Sequence, residues 1–240
     1  MGILTTSPRF AAAAVFTDPT DIAGLVIWFD ASDSGTITQS GGLVSQWDDK
    51  SGNGYHATEV TNKPTTGADT LNSLNVLTFD GDRLASAAPS TQTTQTIFVV
   101  GQITFSAGST QAFVGANPSQ GLAFRWNNSK TDLSNPYVED IGTSTGALSL
   151  STYYLWTATY NSSTGAYDFR TDGASDGSGT NTTTFGSSKT TYIGATGDNG
   201  SGFIQAIVGN IAEVVKYDTV LSAGNITAVE DYLNAKWAVF

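Results

Sequence analysis

Apolar residues along this chain come in short runs separated by polar, glycine-rich stretches. Leu25–Phe29, Leu43–Trp47, Val76–Phe79, Thr96–Ile103, Gln111–Val114 and Leu122–Trp126 predict strands in the first half. Tyr153–Tyr160, Ala166–Thr171, Thr190–Ile193 and Ile204–Tyr217 predict them in the second. β-Branched and aromatic side chains suit a pleated, half-buried surface, and the Gly, Asn and Asp between runs suit turns. The clearest hairpin joins Tyr153–Tyr160 to Ala166–Thr171 through Asn161 to Gly165. Asp172 to Ser188 is polar, and reads as a long surface loop or a polar edge strand. No repeat of ~20–50 residues is present, which argues against a solenoid or propeller.

One helix is predicted, at the end. Ser222 is a good N-cap, and Ile226, Val229, Leu233 and Trp237 recur at helical spacing. Lys236 suits the helix C-terminus. The apolar stripe is expected to plug one open end of a β-sandwich.

Composition narrows the reading. Only 13% of residues are charged, and 240 residues suffice for one all-β domain with a sizeable core. Ten basic residues against 21 acidic ones give a net charge of −11, a field that repels phosphate backbones and disfavours nucleic acid. There is no cysteine and a single histidine, His56, which removes disulfides, thiolate metal sites and clusters of imidazoles. No run approaches the ~18 apolar residues of a membrane span. Met1–Thr20 holds one brief apolar stretch, Phe10–Phe16, and is read as an extended arm rather than a secretory leader.

Three ordered segments carry a family resemblance. Leu25 to Leu84 contains Trp47-Asp48-Asp49-Lys50-Ser51-Gly52-Asn53-Gly54-Tyr55-His56-Ala57-Thr58, then an apolar strand ending in Phe79-Asp80-Gly81. Tyr154 to Tyr160 fits an inner strand, and Gly209 to Tyr217 with Leu221-Ser222 fits a closing strand and small helix. These resemble the laminin G-like branch of the concanavalin A-like lectin/glucanase superfamily, as found in bacteriophage structural proteins. The resemblance covers about Asp21 to Phe240. It implies residues 1–20 as an arm and 21–240 as a laminin G-like jelly roll of two antiparallel sheets with a short C-terminal helix.

Glucanases of that superfamily are expected to carry Glu-x-Asp-x-x-Glu, or a form one residue longer, on one strand. Glycoside hydrolysis needs two carboxyl groups flanking the sugar bond. The four glutamates, Glu59, Glu139, Glu213 and Glu230, form no such pair. His56 has no Gly-x-Ser-x-Gly elbow to serve, and reads as a hydrogen-bonded loop residue. No phosphate-binding loop opens a helix. The chain is therefore expected not to be an enzyme, with a glycoside hydrolase the least favoured reading.

Two binding chemistries are better candidates. Calcium needs several oxygen ligands, and Asp48, Asp49 and Asn53 lie close in sequence, as do Asp80 and Asp82, with Asp198 and Asn199 a weaker cluster. Solvated turn carboxylates are the default reading, with a bound ion the candidate beside it. A carbohydrate site combines an aromatic platform with Asn and Asp, and Trp126, Asn127 and Asn128 with Tyr137 offer one, although Trp126 as a core residue is the favoured reading. The expected function is a non-enzymatic bacteriophage virion component, such as a capsid decoration, head fibre or small tail part. Phe10, Val15 and Phe16 would anchor the arm on other virion proteins or on copies of the chain itself. The jelly roll would face outward from the virion surface, able to hold host glycans. A carbohydrate-binding adhesion module, viral or bacterial and extracellular, is the alternative.

Overall fold

The computed structural model describes residues 16–240 apart from 60, 92, 106–109, 118–120, 136–138, 184, 186–189 and 199–201. The strands in the first half are β1 (Leu25–Asp30), β2 (Ile37–Ser40), β3 (Leu43–Trp47), β4 (Ala57–Thr58), β5 (Thr65–Leu71), β6 (Leu74–Asp80), β7 (Leu84–Ser86), β8 (Thr94–Ile103) and β9 (Gln111–Gly115). Next come β10 (Ala123–Asn127), β11 (Lys130–Asn135), β12 (Glu139–Thr143), β13 (Tyr154–Asn161), β14 (Ala166–Thr171) and β15 (Ala174–Thr180). The last are β16 (Thr191–Ile193), β17 (Thr196–Gly197), β18 (Phe203–Ile204) and β19 (Val208–Tyr217), before the helix α1 (Ala223–Trp237).

All pairings are antiparallel, and they form two layers. The back sheet runs β15-β14-β13-β8-β19-β1, with β6 beside the first half of β19. The front sheet runs β12-β11-β10-β9-β16-β7-β4-β3. β5 pairs with both β3 and β6 and so joins the layers at one edge. Between them lies one apolar core that includes Phe29, Trp47, Phe79, Val99, Phe113, Phe124, Trp156, Phe169 and Val214. The fold is thus the antiparallel jelly-roll sandwich that the sequence predicts.

β8 and β19 carry unbroken apolar runs because both of their faces are covered. Along β8, Ile97 and Val99 face the inner core, whereas Phe98 and Val100 face outward. Leu155, Val215 and Tyr217 share that outward face, and Val229, Leu233 and Trp237 of α1 pack on it. The helix therefore does not plug an end of the sandwich: it lies over the outer face of the back sheet, where an apolar surface needs cover. Ser222 caps α1 by accepting the Asn225 N–H at 3.2 Å, and Ala238 closes it in the left-handed region, φ 51°.

β19 changes neighbours part-way along. Val208 to Ile211 pair with β6, and Glu213 to Tyr217 pair with β1, with a bulge at Ala212 in its register against β8. Gly101 of β8 faces this point, where an added Cβ would stand 2.6 Å from the Asn210 carbonyl oxygen. The run expected as one strand over Ile204–Tyr217 is broken at Gln205, which takes a positive φ of 51°. Of the two readings of Asp172 to Ser188, residues 174–180 form the polar edge strand β15.

Packing also begins before the expected domain boundary at residue 21. Asp18 caps a short 3-10 turn, Pro19 is buried, and the Tyr217 hydroxyl donates to the Pro19 carbonyl at 2.9 Å. The Phe16 ring meets Tyr232 of α1 edge-on, with centroids 6.2 Å apart. Phe16, expected as an anchor for another subunit, thus packs on its own chain. Phe10 and Val15 lie outside the described residues. Among the described residues, no helix is long and apolar enough to cross a membrane.

Candidate functional site

The turn expected to bind calcium is tied together by hydrogen bonds to Asp49. Asp49 Oδ1 accepts the backbone N–H groups of Trp28 at 3.0 Å and Ser51 at 2.9 Å. Its Oδ2 accepts the Ser51 hydroxyl at 2.7 Å and the Tyr55 N–H at 3.0 Å. Asn53 points an amide, not an oxygen, at the carbonyls of Leu25 and Val26. Asp48 accepts the Gln46 side-chain amide at 2.6 Å, and Asp82 accepts the Asp80 N–H at 2.9 Å. Burial pushes the Asp82 carboxyl up, with the charges of Asp80 and Glu59 adding to it. Among the described residues, no three carboxylate or imidazole side chains are grouped to hold a metal ion. His56 is a loop residue whose Nδ1 accepts the Asp49 N–H at 3.2 Å.

Of the two readings of Trp126, the structure takes the core one. In β10 the side chains alternate, so Phe124 and Trp126 face inward while Arg125 and Asn127 face out. Trp126 is 1% exposed and meets Trp156 edge-on at 6.4 Å, so it is a core ring and not a surface platform. Asn128 is at the tip of a two-residue hairpin, with φ 49° followed by 69° at Ser129, the conformation that Asn tolerates best after Gly. Tyr137 lies outside the described residues.

The outward face of the same hairpin carries what the sequence reading missed. Arg125 stands opposite Asp132 in the β10–β11 register. Its Nε donates to Asp132 Oδ1 at 2.7 Å and its NH2 group to Asp132 Oδ2 at 3.0 Å. The same NH2 reaches Asp140 Oδ1 on β12 at 2.6 Å, and the Asn127 amide donates to Asp132 Oδ2 at 2.9 Å. Burial pushes the Asp132 carboxyl up although Arg125 and Asn127 pull it down. Asp140 is 65% exposed and forms the solvent edge of the cluster. One guanidinium between two carboxylates fixes all three planes. It leaves carboxylate and amide oxygens at the rim for hydroxyl donors.

Two further carboxylates are structural clamps beneath α1. Glu213 accepts the indole N–H of Trp28 at 2.6 Å and the Lys236 ammonium at 2.8 Å, and burial pushes its carboxyl up. Glu230 accepts the Thr157 hydroxyl and Arg170 Nε, each at 2.8 Å. Beside them, burial works to raise Asp30, but Lys236 and Lys50 outweigh it and hold that carboxyl below its ordinary range.

A two-layer antiparallel jelly roll with a polar, hydrogen-bonded outer face is the architecture of the concanavalin A-like lectins. The chain belongs to that group: the laminin G-like family model described as the concanavalin A-like lectin/glucanases superfamily matches residues 86–227, more than half of it. No curated protein matches its sequence. Among solved structures it is similar to Trypanosoma rangeli sialidase in complex with sialic acid, at 19% identity and a TM-score of 0.62, covering 96% of this chain and 35% of that one. It is also similar to botulinum neurotoxin type C, whose cell entry depends on interaction with two ganglioside molecules, at 12% identity and a TM-score of 0.58. The type G receptor binding domain gives 10% identity and a TM-score of 0.58. With either toxin the alignment covers 89% of this chain and 52% of the other. The chain thus spans about a third of the sialidases and half of the toxin chains, and at these identities the likeness is one of fold.

Proposed function

We propose that the chain is a non-catalytic glycan-recognition module whose front sheet presents Asn127 and Asp140, held in place by Arg125 and Asp132, to sugar hydroxyls. The observation that carries this is the cluster itself, a rigid set of planar polar groups on the outward face of a lectin-type sheet. The sugars named for the structural neighbours support it. The absence of catalysis is supported by Glu59, Glu213 and Glu230, which are each ion-paired, with Arg83, Lys236 and Arg170 respectively. The setting we propose is the surface of a bacteriophage particle, with a viral or bacterial extracellular adhesion module as the alternative. Mass analysis of purified particles for this chain and its copy number decides between them.

Binding is tested on an array of bacterial and animal-cell glycans, followed by titration calorimetry on the best ligand. Asp140→Asn and Asn127→Ala should each weaken binding about tenfold, equal to ~1.4 kcal/mol, without lowering the melting temperature. A ligand whose affinity is untouched by both variants would overturn the front-sheet site, and silence across the array would overturn the module's function.

A further inference from the structure

We propose that a second cleft, between the first turns of α1 and strands β13 and β14 on the opposite side of the molecule, binds one pyranose ring of a neutral glycan. The cleft measures about 360 Å³, within the range of roughly 300–1,000 Å³ where small-molecule sites fall. Thr159, Asp168 and Arg170 form its floor, and Val220, Ile226 and Thr227 form part of its wall. It lies on the back sheet, so it is separate from the Arg125 cluster and goes beyond the reading given above.

The hydrogen-bonding state of these groups points to the ligand. Thr159 faces Asp168 directly across the β13–β14 ladder, and Thr157 faces Arg170. Glu230 captures Arg170 through both carboxylate oxygens, at 2.8 Å each, and the Arg170 NH2 group also meets the Gly173 carbonyl. The guanidinium is thereby committed to α1 instead of to Asp168. Among the described residues, nothing donates a hydrogen bond to the Asp168 carboxylate, and the Thr159 and Thr227 hydroxyls have no partner. Burial pushes the Asp168 carboxyl up, with Arg170 opposing it. A half-buried acceptor and two open hydroxyls in one cleft suit a vicinal diol, which both donates and accepts. Val220 and Ile226 offer aliphatic contact to the C–H face of the ring. With Arg170 and Glu230 paired to each other, Asp168 is the uncompensated charge and repels an anionic sugar, while the unmet donors and acceptors of Asp168, Thr159 and Thr227 are matched by the hydroxyls of a neutral ring.

The test is an amide-shift NMR titration of the full chain with methyl α-glucoside, methyl α-galactoside and methyl α-mannoside, and with glucuronate and glucosamine for comparison. At least one neutral glycoside should give saturable shifts in the millimolar range at Thr159, Asp168, Val220 and Thr227. Asp168→Asn should weaken that binding about tenfold, and Thr227→Val, at an exposed helix position that cannot unfold the sheet, at least threefold. Absent saturation, preference for glucosamine or glucuronate, or insensitivity to both variants overturns the inference. Shifts confined to Asn127 and Asp140 would also overturn it, while supporting the front-sheet site.

Discussion

The indole N–H of Trp237 donates to Glu213 Oε2 across 2.6 Å and ties the last turn of α1 to the middle of β19. Glu213 is fully buried and also serves Trp28 and Lys236, so its removal strands two indole donors and leaves Lys236 with Asp30 as its carboxylate partner. Glu213→Ala should lower unfolding free energy by about 3–5 kcal/mol, the cost of breaking a buried pair from one side. Urea denaturation at neutral pH reads this, and an unchanged midpoint would mean that the clamp is not formed in solution.

The apolar contact beneath the helix makes a second prediction. Leu233 is 1% exposed against the outer face of the back sheet, and Leu233→Ala should cost about 2–5 kcal/mol. Deleting residues 222–240 should expose Phe98, Val100, Leu155 and Val215 and cause aggregation, seen by light scattering. A soluble truncation of equal stability would show that the stripe serves a partner instead.

Lys216 gives a pH dependence. Its ammonium is buried on the inner side of β19 with the Pro89 carbonyl as acceptor at 3.0 Å, and burial pulls its pKa down to about 7, with Asp218 opposing. In the unfolded chain a lysine titrates near ~10.4. Between those values the unfolded state holds a proton that the folded state lacks, so stability should rise with pH across that window, by up to ~1.4 kcal/mol per unit. Below it both states are protonated and this contribution stays constant. Lys216→Met should raise stability at neutral pH and flatten the slope. Denaturant midpoints taken from about pH 7 to pH 9, short of tyrosine ionisation, would reveal an equal slope in both proteins if the lysine is in fact hydrated.

Incubation with laminarin, agar, alginate and bacterial polysaccharides should release no new reducing ends, because the four glutamates of the sequence form no paired-carboxylate strand motif. Turnover that disappears in Glu139→Gln or Glu213→Gln would refute the non-catalytic reading.

Much of the fold was legible because apolar periodicity and turn residues agree. Leu43–Trp47 and Ala166–Thr171 were bounded as the structure has them. β11 and β12 escaped, and β15 was one of two readings, because Lys130–Asn135, Glu139–Thr143 and Ala174–Thr180 carry few apolar side chains, and strands with polar outer faces give a weak alternating signal. The resting place of α1 was written in the continuous run Ile97 to Val100, which implies cover on both faces; an amphipathic stripe alone says only that something must cover it. Site residues fared worse. A Trp beside two Asn is compatible with either phase of β10, and the core phase, favoured for Trp126 on the sequence, is the one the structure has. Recognising Asn128-Ser129 as a two-residue hairpin would have set Arg125 opposite Asp132. Nothing local marks Glu213, whose partner Trp28 is 185 residues away.

The central position of β19 has a consequence for biosynthesis. Both of its edges are occupied, by β8 on one side and by β1 and β6 on the other, and its two faces contribute to both apolar cores. Yet it is made after almost every strand it must join. A nascent chain therefore leaves the ribosome with β1, β6 and β8 lacking the neighbour that closes them, and neither core can be sealed until residues 208–237 have emerged. Much of the non-local pairing thus waits for β19, and until it arrives the strand edges it will cover stay exposed and prone to associate with one another.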